Sequence, residues 1–201
     1  CLCGCYDANE VNDQVFPLFL GVDQGTNEEL LLTIKFPTYY QQSPDTQDQV
    51  YNQGNSNVYT VEAPTILTGI EQLNTVLPRK ITLSHVEFLC LGEELAKQGI
   101  ANCMQPLARD SESSSTMKIM VCSGSASDYI KAHTGTMSGN YAREAAALSQ
   151  DSVTAHTQYL QFGNFFNNLY SPYSDAVALM GQVVAAPKGE QSQEQQPQTQ
   201  S

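Results

Sequence analysis

The chain has six cysteines, whose thiols can take part in more kinds of reaction than its other side chains. Three of them lie within the first five positions. The sequence Leu-Cys-Gly-Cys at 2–5 fits a bacterial lipobox, in which small residues precede the cysteine whose thiol takes a diacylglycerol thioether. Acyl chains supply about 0.8 kcal/mol per buried methylene, enough for stable anchoring without a transmembrane helix. The motif predicts lipidation of Cys5. The alternative is a disulfide or metal cluster formed by Cys1, Cys3 and Cys5.

The other cysteines, Cys90, Cys103 and Cys122, stand in apolar surroundings. No two cysteines of the chain have the Cys-x-x-Cys spacing of a zinc site. Free cysteine usually behaves as a small buried hydrophobe. We therefore predict that these three thiols are buried and have no chemical role.

Hydrolytic catalysis would need a nucleophile, a histidine and an acid within reach of one another. The chain has three histidines, His85, His133 and His156. Ser84 or Ser123 could be combined with His85 and Asp128, but neither serine stands in a Gly-x-Ser-x-Gly elbow. We predict no catalytic residue. His85 is expected mid-strand, buried and hydrogen-bonded to the backbone.

Residues 122–126, Cys-Ser-Gly-Ser-Ala, join a predicted strand to a predicted helix, where an anion can bind. The chain lacks the glycine-rich motifs of nucleotide sites. The acidic pair Glu93 and Glu94 is better explained by the dipole of a helix that begins there. The basic pair at 79–80 fits a solvated turn, and the acids at 7, 10 and 13 lack calcium-loop spacing. No metal and no cofactor are predicted.

Charge excludes several classes of partner. The chain has 201 residues, a formal net charge of −12 and a pI near 4.4. It lacks the basic footprint that nucleic acid requires, and it repels anionic lipid head groups unless something else anchors it. No run reaches the roughly 18 apolar residues needed to cross a bilayer. Hydrophobic residues make up 41%, enough for one domain with a substantial core.

The stretch 78–100 is the centre of the predicted fold. A turn precedes a mostly apolar strand at 81–91, Gly92 breaks the strand, and a helix at 93–97 ends at Gly99. The other predicted strands are 15–22, 28–36, 58–61, 116–122 and 175–184, the first two forming a hairpin. The other predicted helices are 64–77 with Thr60 or Glu62 near its cap, 100–109, 125–133 capped by Ser125, 141–150, 154–162 and 164–170.

These elements predict an α/β (α+β) fold, a mixed β-sheet with flanking helices in the rough order β-β-β-α-β-α-α-β-α-α-α-β. Residues 1–13 are interpreted as a lipobox remnant and tether, and 14–184 as one folded domain with a polar surface loop at 38–57. Residues 185–201 are rich in glutamine and poor in apolar side chains. They are predicted to be a disordered linker to missing C-terminal domains.

Several blocks of residues also match a known pattern. The longest combines Pro-Arg-Lys at 78–80, His85, Gly-Glu-Glu-Leu-Ala at 92–96 and Gly-Ile at 99–100. The others are Gly-Cys-Tyr-Asp at 4–7 with Glu-Val-Asn-Asp at 10–13, Leu-Gly-Val-Asp at 20–23 with Gly25, and Arg-Asp at 109–110. Together they resemble the Ger(x)C family, the lipoprotein C subunits of bacterial spore nutrient germinant receptors. The family usually has tryptophan in place of Tyr6 and often glycine in place of Ser84.

The resemblance covers roughly residues 2–184 and implies the N-terminal domain of a multi-domain, non-enzymatic lipoprotein. It implies that Cys5 carries the lipid and that the protein lies on the outer face of the spore inner membrane. The implied partners are the integral-membrane A and B subunits of the receptor, reached through protein-protein contacts. The alternative is an extracytoplasmic lipoprotein that binds a small solute at the turn of residues 123–126.

Overall fold

The computed structural model of the chain describes residues 13–27, 29–37, 58–132 and 160–183. Several predicted features lie outside the described residues: the lipobox at 2–5, the polar loop at 38–57, the helix at 141–150 and the linker at 185–201.

Six strands form one sheet, and two shorter ones form a separate parallel ribbon. The strands are β1 (Gln14–Val15), β2 (Phe19–Gln24), β3 (Leu30–Lys35), β4 (Val58–Ala63), β5 (Lys80–Ile81), β6 (Phe88–Gly92), β7 (Lys118–Cys122) and β8 (Leu179–Gly181). The sheet has the order β4-β3-β2-β6-β7-β8, and the ribbon pairs β1 with β5. Strands β2, β6, β7 and β8 are parallel, whereas β3 and β4 run antiparallel to their neighbours. The predicted mixed sheet and the predicted hairpin are confirmed.

Helices cover both faces of this sheet. They are α1 (Ile66–Val76), α2 (Glu93–Gln98), α3 (Ala101–Arg109), α4 (Ala126–Ala132) and α5 (Phe162–Leu169). Successive strand residues point to opposite faces. Leu20 of β2 therefore joins the larger apolar cluster with α1, α3 and α5, whereas its neighbour Phe19 joins a smaller cluster under α4. Burial on both faces explains why β6 reads Phe-Leu-Cys-Leu-Gly without polar alternation.

Helix α1 forms where apolar residues recur at helical spacing, with Ile66, Ile70 and Leu73 buried. Its N-cap is Thr65, whose Oγ1 accepts a hydrogen bond from the Thr68 N–H. The predicted cap at Thr60 or Glu62 was wrong, because β4 continues to Ala63 and both residues belong to that strand.

The predicted strand at 81–91 is not one element. Lys80 and Ile81 pair with β1, a 3₁₀ turn follows at Leu83–His85, and β6 begins at Phe88. Leu83 and Val86 are buried whereas the residues between them are exposed. Burial at a spacing of three residues fits a 3₁₀ turn, not a strand with its period of two.

Two other predicted boundaries were also wrong. The strand at 15–22 is divided into β1 and β2, and Pro17, which has no N–H for a ladder, stands in the gap. The last strand is only Leu179–Gly181, because it pairs with just three residues of β7. Helix α5 corresponds to the helix predicted at 164–170, whereas most of the helix predicted at 154–162 lies outside the described residues.

Helix α2, which directly follows β6, agrees with prediction. Glu93 and Glu94 occupy the first turn of α2, and Gly99 follows its end at a φ of 108°, a conformation that favours glycine. We call the end of the sheet at which β2, β6 and β7 begin the amino end, and the opposite end the carboxyl end. Helices α2 and α4 both start at the carboxyl end, directly after or close to β6 and β7.

Candidate functional site

One buried carboxylate organises the carboxyl end of the sheet. Asp23 lies near the end of β2 and reaches across to the first turn of α4. Its Oδ1 accepts a hydrogen bond from the Ala126 N–H at 2.7 Å, and its Oδ2 accepts one from the Ser127 N–H at 2.8 Å. The Ser125 hydroxyl donates a third at 3.1 Å. Asp23 thus caps a helix that begins 103 residues later in the chain.

Glu93 makes a second contact between distant segments at the carboxyl end of the sheet. Its Oε2 accepts a hydrogen bond from the Gly124 N–H at 3.1 Å, and its own N–H donates to the Gly124 carbonyl at 2.9 Å. Its Oε1 lies 2.9 Å from the Lys97 ammonium. The hydrogen bond from Lys97, followed by that from Gly124, lowers the pKa of Glu93. This pair joins the start of α2 to the turn before α4.

Two glycines make room for these contacts. A Cβ on Gly92 would collide with Oδ1 of Asp23, so any larger residue would displace the capping carboxylate. A Cβ on Gly21 would lie 2.6 Å from Cδ1 of Ile130, so glycine lets α4 approach β2 closely. Both glycines belong to the blocks that resemble the Ger(x)C pattern.

These contacts bear on the solute site predicted at residues 123–126. Three of the four N–H groups at this turn already have acceptors within the chain: Gly181 for Ser123, Glu93 for Gly124 and Asp23 for Ala126. A helix N-terminus that holds its own carboxylate offers little to an external anion. The geometry therefore argues against a solute site at this turn.

A cleft opens at the opposite, amino end. It has a volume of about 470 Å³ and lies where β6 and β7 begin. We call it the amino-end cleft, and its polar lining includes Ser84, His85, Glu87, Thr116, Lys118 and Gln161. The Lys118 N–H donates to the Glu87 carbonyl at 2.7 Å, which fixes the two charged residues side by side.

His85 lies at this cleft and does not occupy the predicted buried position. It is exposed in the 3₁₀ turn, its Nδ1 is 2.8 Å from the Ser84 hydroxyl, and its ring meets that of Phe16 edge-on at 4.6 Å. Asp128 and Ser123 follow β7 at the carboxyl end. Strand β6 alone separates the two ends by about 16 Å. The catalytic set considered from the sequence, Ser123, His85 and Asp128, is therefore not assembled.

Electrostatics distinguish Glu87 from the other lining groups. Burial raises the pKa of this carboxyl, and the nearby Lys118 ammonium only partly opposes the effect. The Lys118 Nζ lies 5.8 Å from the centre of the Phe88 ring, a cation–π distance. The cleft presents fixed polar groups of both signs, which suits binding, and the Ser84–His85 pair there has no hydrogen bond to an acid among the described residues.

Two of the three internal cysteines are buried as the sequence predicts, and the third is only partly buried. Cys90 and Cys122 are fully buried under α4, and Cys103 is partly buried on α3. Burial, followed by a hydrogen bond with Cys122, raises the pKa of Cys90 well above its usual value. Burial raises the pKa of Cys103 to about 11. Across the described ranges, no cluster of three or more histidine, cysteine or acidic side chains could hold a metal ion.

The residues that resemble the Ger(x)C pattern fall into two groups in space. Most of those at the carboxyl end serve the fold, as Asp23, Gly92 and Glu93 do. At the amino end the pattern leaves side chains exposed, among them Arg79, Lys80 and His85, with Lys80 paired to Glu112 at 2.9 Å. Both residues of the basic pair are solvent-exposed as predicted, but Lys80 belongs to β5 and not to a turn. Asp23 was missed as a cap because its partner helix cannot be identified from sequence spacing.

Comparison with known proteins agrees with these observations. The putative spore germination protein YfkR of Bacillus subtilis (strain 168) is 28% identical to the chain over 131 residues. The aligned region covers 64% of this chain and 34% of YfkR, so the chain spans about a third of that relative's length. No solved structure is significantly similar. The family model described as the spore germination protein N-terminal domain matches residues 7–183. The chain therefore belongs to the spore germination protein N-terminal domain family, as its resemblance to the Ger(x)C pattern predicted.

Proposed function

We propose that this protein is a lipid-anchored C subunit of a bacterial spore nutrient germinant receptor and that Cys5 carries the lipid. It acts on the outer face of the spore inner membrane through contacts with the integral-membrane A and B subunits. The observation that carries the proposal is the family match over residues 7–183, directly preceded by the Leu-Cys-Gly-Cys sequence at 2–5.

The geometry supports a binding or coupling role without catalysis. Asp23 caps a helix, and Glu87 and Lys118 line an open cleft. Within the described part of the chain, no helix is long and apolar enough to cross a membrane. Membrane attachment in this proposal depends on the acyl chains of Cys5.

Intact-mass spectrometry of the full-length gene product from the native membrane fraction tests the anchor. We expect a diacylglycerol-sized mass on Cys5, and loss of both the mass and the membrane association in Cys5→Ala. Cys3→Ser is the matched control, because it removes a neighbouring thiol but keeps a small residue before Gly4. An unmodified Cys5 in a protein that stays out of the membrane would contradict the proposal.

Co-purification separates the receptor subunit from the alternative, a solute-binding lipoprotein. From detergent-solubilised membranes, the tagged protein is expected to bring down the A and B subunits. A solute-binding protein would instead show a rise in melting temperature with a small solute in the absence of partners, since a ligand specific for the folded state stabilises it. The carboxylates of Glu93 and Asp23, which accept hydrogen bonds from the N–H groups of Gly124 and Ala126, favour the first outcome.

A further inference from the structure

We propose that the amino-end cleft binds a guanidinium group, with the carboxylate of Glu87 as its main contact. The group belongs either to a small solute or to an arginine side chain of another protein. The inference derives from the cleft alone, so it depends neither on the lipid anchor nor on the receptor subunits proposed above.

The cleft has the size and the lining of a binding site. Its volume of about 470 Å³ lies within the range of roughly 300–1,000 Å³ that ligand sites usually have. Every lining residue belongs to the described ranges, and all of them except Val86 have polar side chains. Such a lining suits a ligand that is rich in hydrogen-bonding groups.

The positive groups at this cleft are already engaged within the protein. The Lys118 ammonium lies over the Phe88 ring, with its Nζ 5.8 Å from the ring centre. The first N–H groups of α5 would otherwise attract an anion. They donate instead to carbonyls of the segment that leads into β7: Phe162 to Met117 at 2.7 Å and Gly163 to Ser115 at 2.9 Å. The cleft therefore offers little to an anion.

The negative group of the cleft is not engaged. The Glu87 carboxylate is half-buried, and it has no hydrogen-bond or ion-pair partner among the described residues. The Lys118 charge acts on it, but burial has the larger effect and raises its pKa. A partly desolvated carboxylate gains most from a cation that also donates hydrogen bonds.

Further acceptors surround this carboxylate. Gln161 stands at the N-cap of α5, but its side chain makes no capping hydrogen bond. The hydroxyls of Ser114 and Thr116 lie 2.8 Å apart, and one hydrogen bond between them leaves acceptor lone pairs on both oxygens. The cleft thus combines carboxylate, amide and hydroxyl oxygens that can accept.

A guanidinium group matches this set of acceptors. It carries five N–H donors in a planar fork and no acceptor, and two of its donors can bind one carboxylate side by side. An ammonium has only three donors and lacks the planar fork. The formal net charge of −12 also steers cations toward the protein.

An NMR titration of the full chain with methylguanidinium tests the site. We expect the backbone amide signals of Glu87, Thr116 and Lys118 to shift, with a Kd on the order of 1 mM for so small a ligand. Tetramethylammonium is the matched probe, because it has the same charge and no N–H donor. It is expected to bind at least about tenfold more weakly.

Glu87→Gln removes the charge and nearly keeps the shape of the side chain. We expect it to weaken methylguanidinium binding by about tenfold or more, the usual effect of losing a charged hydrogen-bond partner. Glu112→Gln is the matched control. Glu112 stands two residues before Ser114, is exposed and already pairs with Lys80, so this substitution is expected to weaken binding by less than about twofold.

A blocked peptide, acetyl-Gly-Arg-Gly-amide, distinguishes the two sources of the group. If another protein supplies an arginine, the peptide is expected to bind at least as tightly as methylguanidinium and to lose affinity in Glu87→Gln. If a small solute supplies the group, the flanking peptide bonds are expected to weaken binding by about tenfold. Unchanged affinity in Glu87→Gln, equal binding of tetramethylammonium, or tighter binding of acetate than of methylguanidinium would overturn the inference.

Discussion

At the residue scale, a single acid explains several features of the sequence at once. Asp23 satisfies two backbone N–H groups of α4, Gly92 leaves space for its carboxylate, and Ser125 donates to it. A buried carboxylate is costly unless it is hydrogen-bonded, and here three donors surround it. Its role is to fix α4 on the sheet.

Replacing this acid tests that role. Asp23→Ala leaves the N–H groups of Ala126 and Ser127 buried without an acceptor, and we expect a loss of about 3 kcal/mol in the free energy of unfolding. Asp128→Asn removes a charge from the same helical turn at an exposed position and is expected to cost less than about 1 kcal/mol. Urea unfolding measures both. Similar losses in the two variants would show that Asp23 acts only as a general charge near the helix.

The raised pKa of Glu87 predicts how the stability of the domain depends on pH. Burial raises its folded-state pKa above the ordinary 4.5, so its contribution to stability is fully present below that value and is lost as pH rises through the folded pKa. Glu87→Gln is therefore expected to melt at a higher temperature than the parent protein at neutral pH, and to lack this part of the decline above pH 4.5. Thermal melts across this range measure it.

The control for Glu87 comes from the same cleft. Gln161→Ala shortens a neighbouring lining side chain without changing any charge, so the shape of the pH profile is expected to stay that of the parent protein. If Glu87→Gln melts like the parent protein at every pH, desolvation of this carboxyl has no consequence for stability.

At the element scale, the helix ends are determined by local hydrogen bonds and by the strands that precede them. Helix α1 starts at Thr65 because β4 continues through Ala63, and α2 starts at once after β6 because Gly92 and Glu93 leave no loop between them. The helix positions therefore depend on where each strand stops pairing.

The cap of α1 provides the test at this scale. Thr65→Ala removes the acceptor of the Thr68 N–H and is expected to lower the free energy of unfolding by about 1 kcal/mol. Thr60→Ala, at an exposed position on the edge strand β4, is expected to cost less than about 0.5 kcal/mol. Chemical denaturation compares the two. Equal losses would mean that the Thr65 hydrogen bond does not stabilise the helix.

At the scale of the whole molecule, the middle strands should open only when the domain unfolds. Cys90 and Cys122 lie on β6 and β7 beneath α4, so alkylation of either thiol is expected to follow global unfolding. Asp23→Ala should speed alkylation of both by about 100-fold, the factor that corresponds to the expected loss of about 3 kcal/mol.

Cys103 is the internal reference for this experiment. Its pKa of about 11 leaves roughly one thiolate in a thousand at pH 8, and its partial exposure on α3 does not depend on α4. Its alkylation rate is expected to rise about tenfold per pH unit and to be unchanged by Asp23→Ala. If Cys122 were also unaffected by this substitution, the sheet would open without involving the Asp23 cap.

The sequence by itself determined the class of fold and the family. Buried strands were predicted from apolar runs, α1 from its helical spacing, and the end of α2 from Gly99, because burial and backbone preference act over a few neighbouring residues. The division of 81–91 was missed because a 3₁₀ turn with two buried residues has nearly the apolar content of a strand. For the same reason His85 was placed in the core.

Only the tertiary structure decided which distant residues meet. Asp23 and Ala126 are 103 positions apart, and nothing in either local pattern identifies the other as its partner. The amino-end cleft is decided in the same way, because strand order and direction bring His85, Lys118 and Gln161 to one end. Local spacing carries information about periodicity, whereas contacts between remote segments depend on how the whole sheet is assembled.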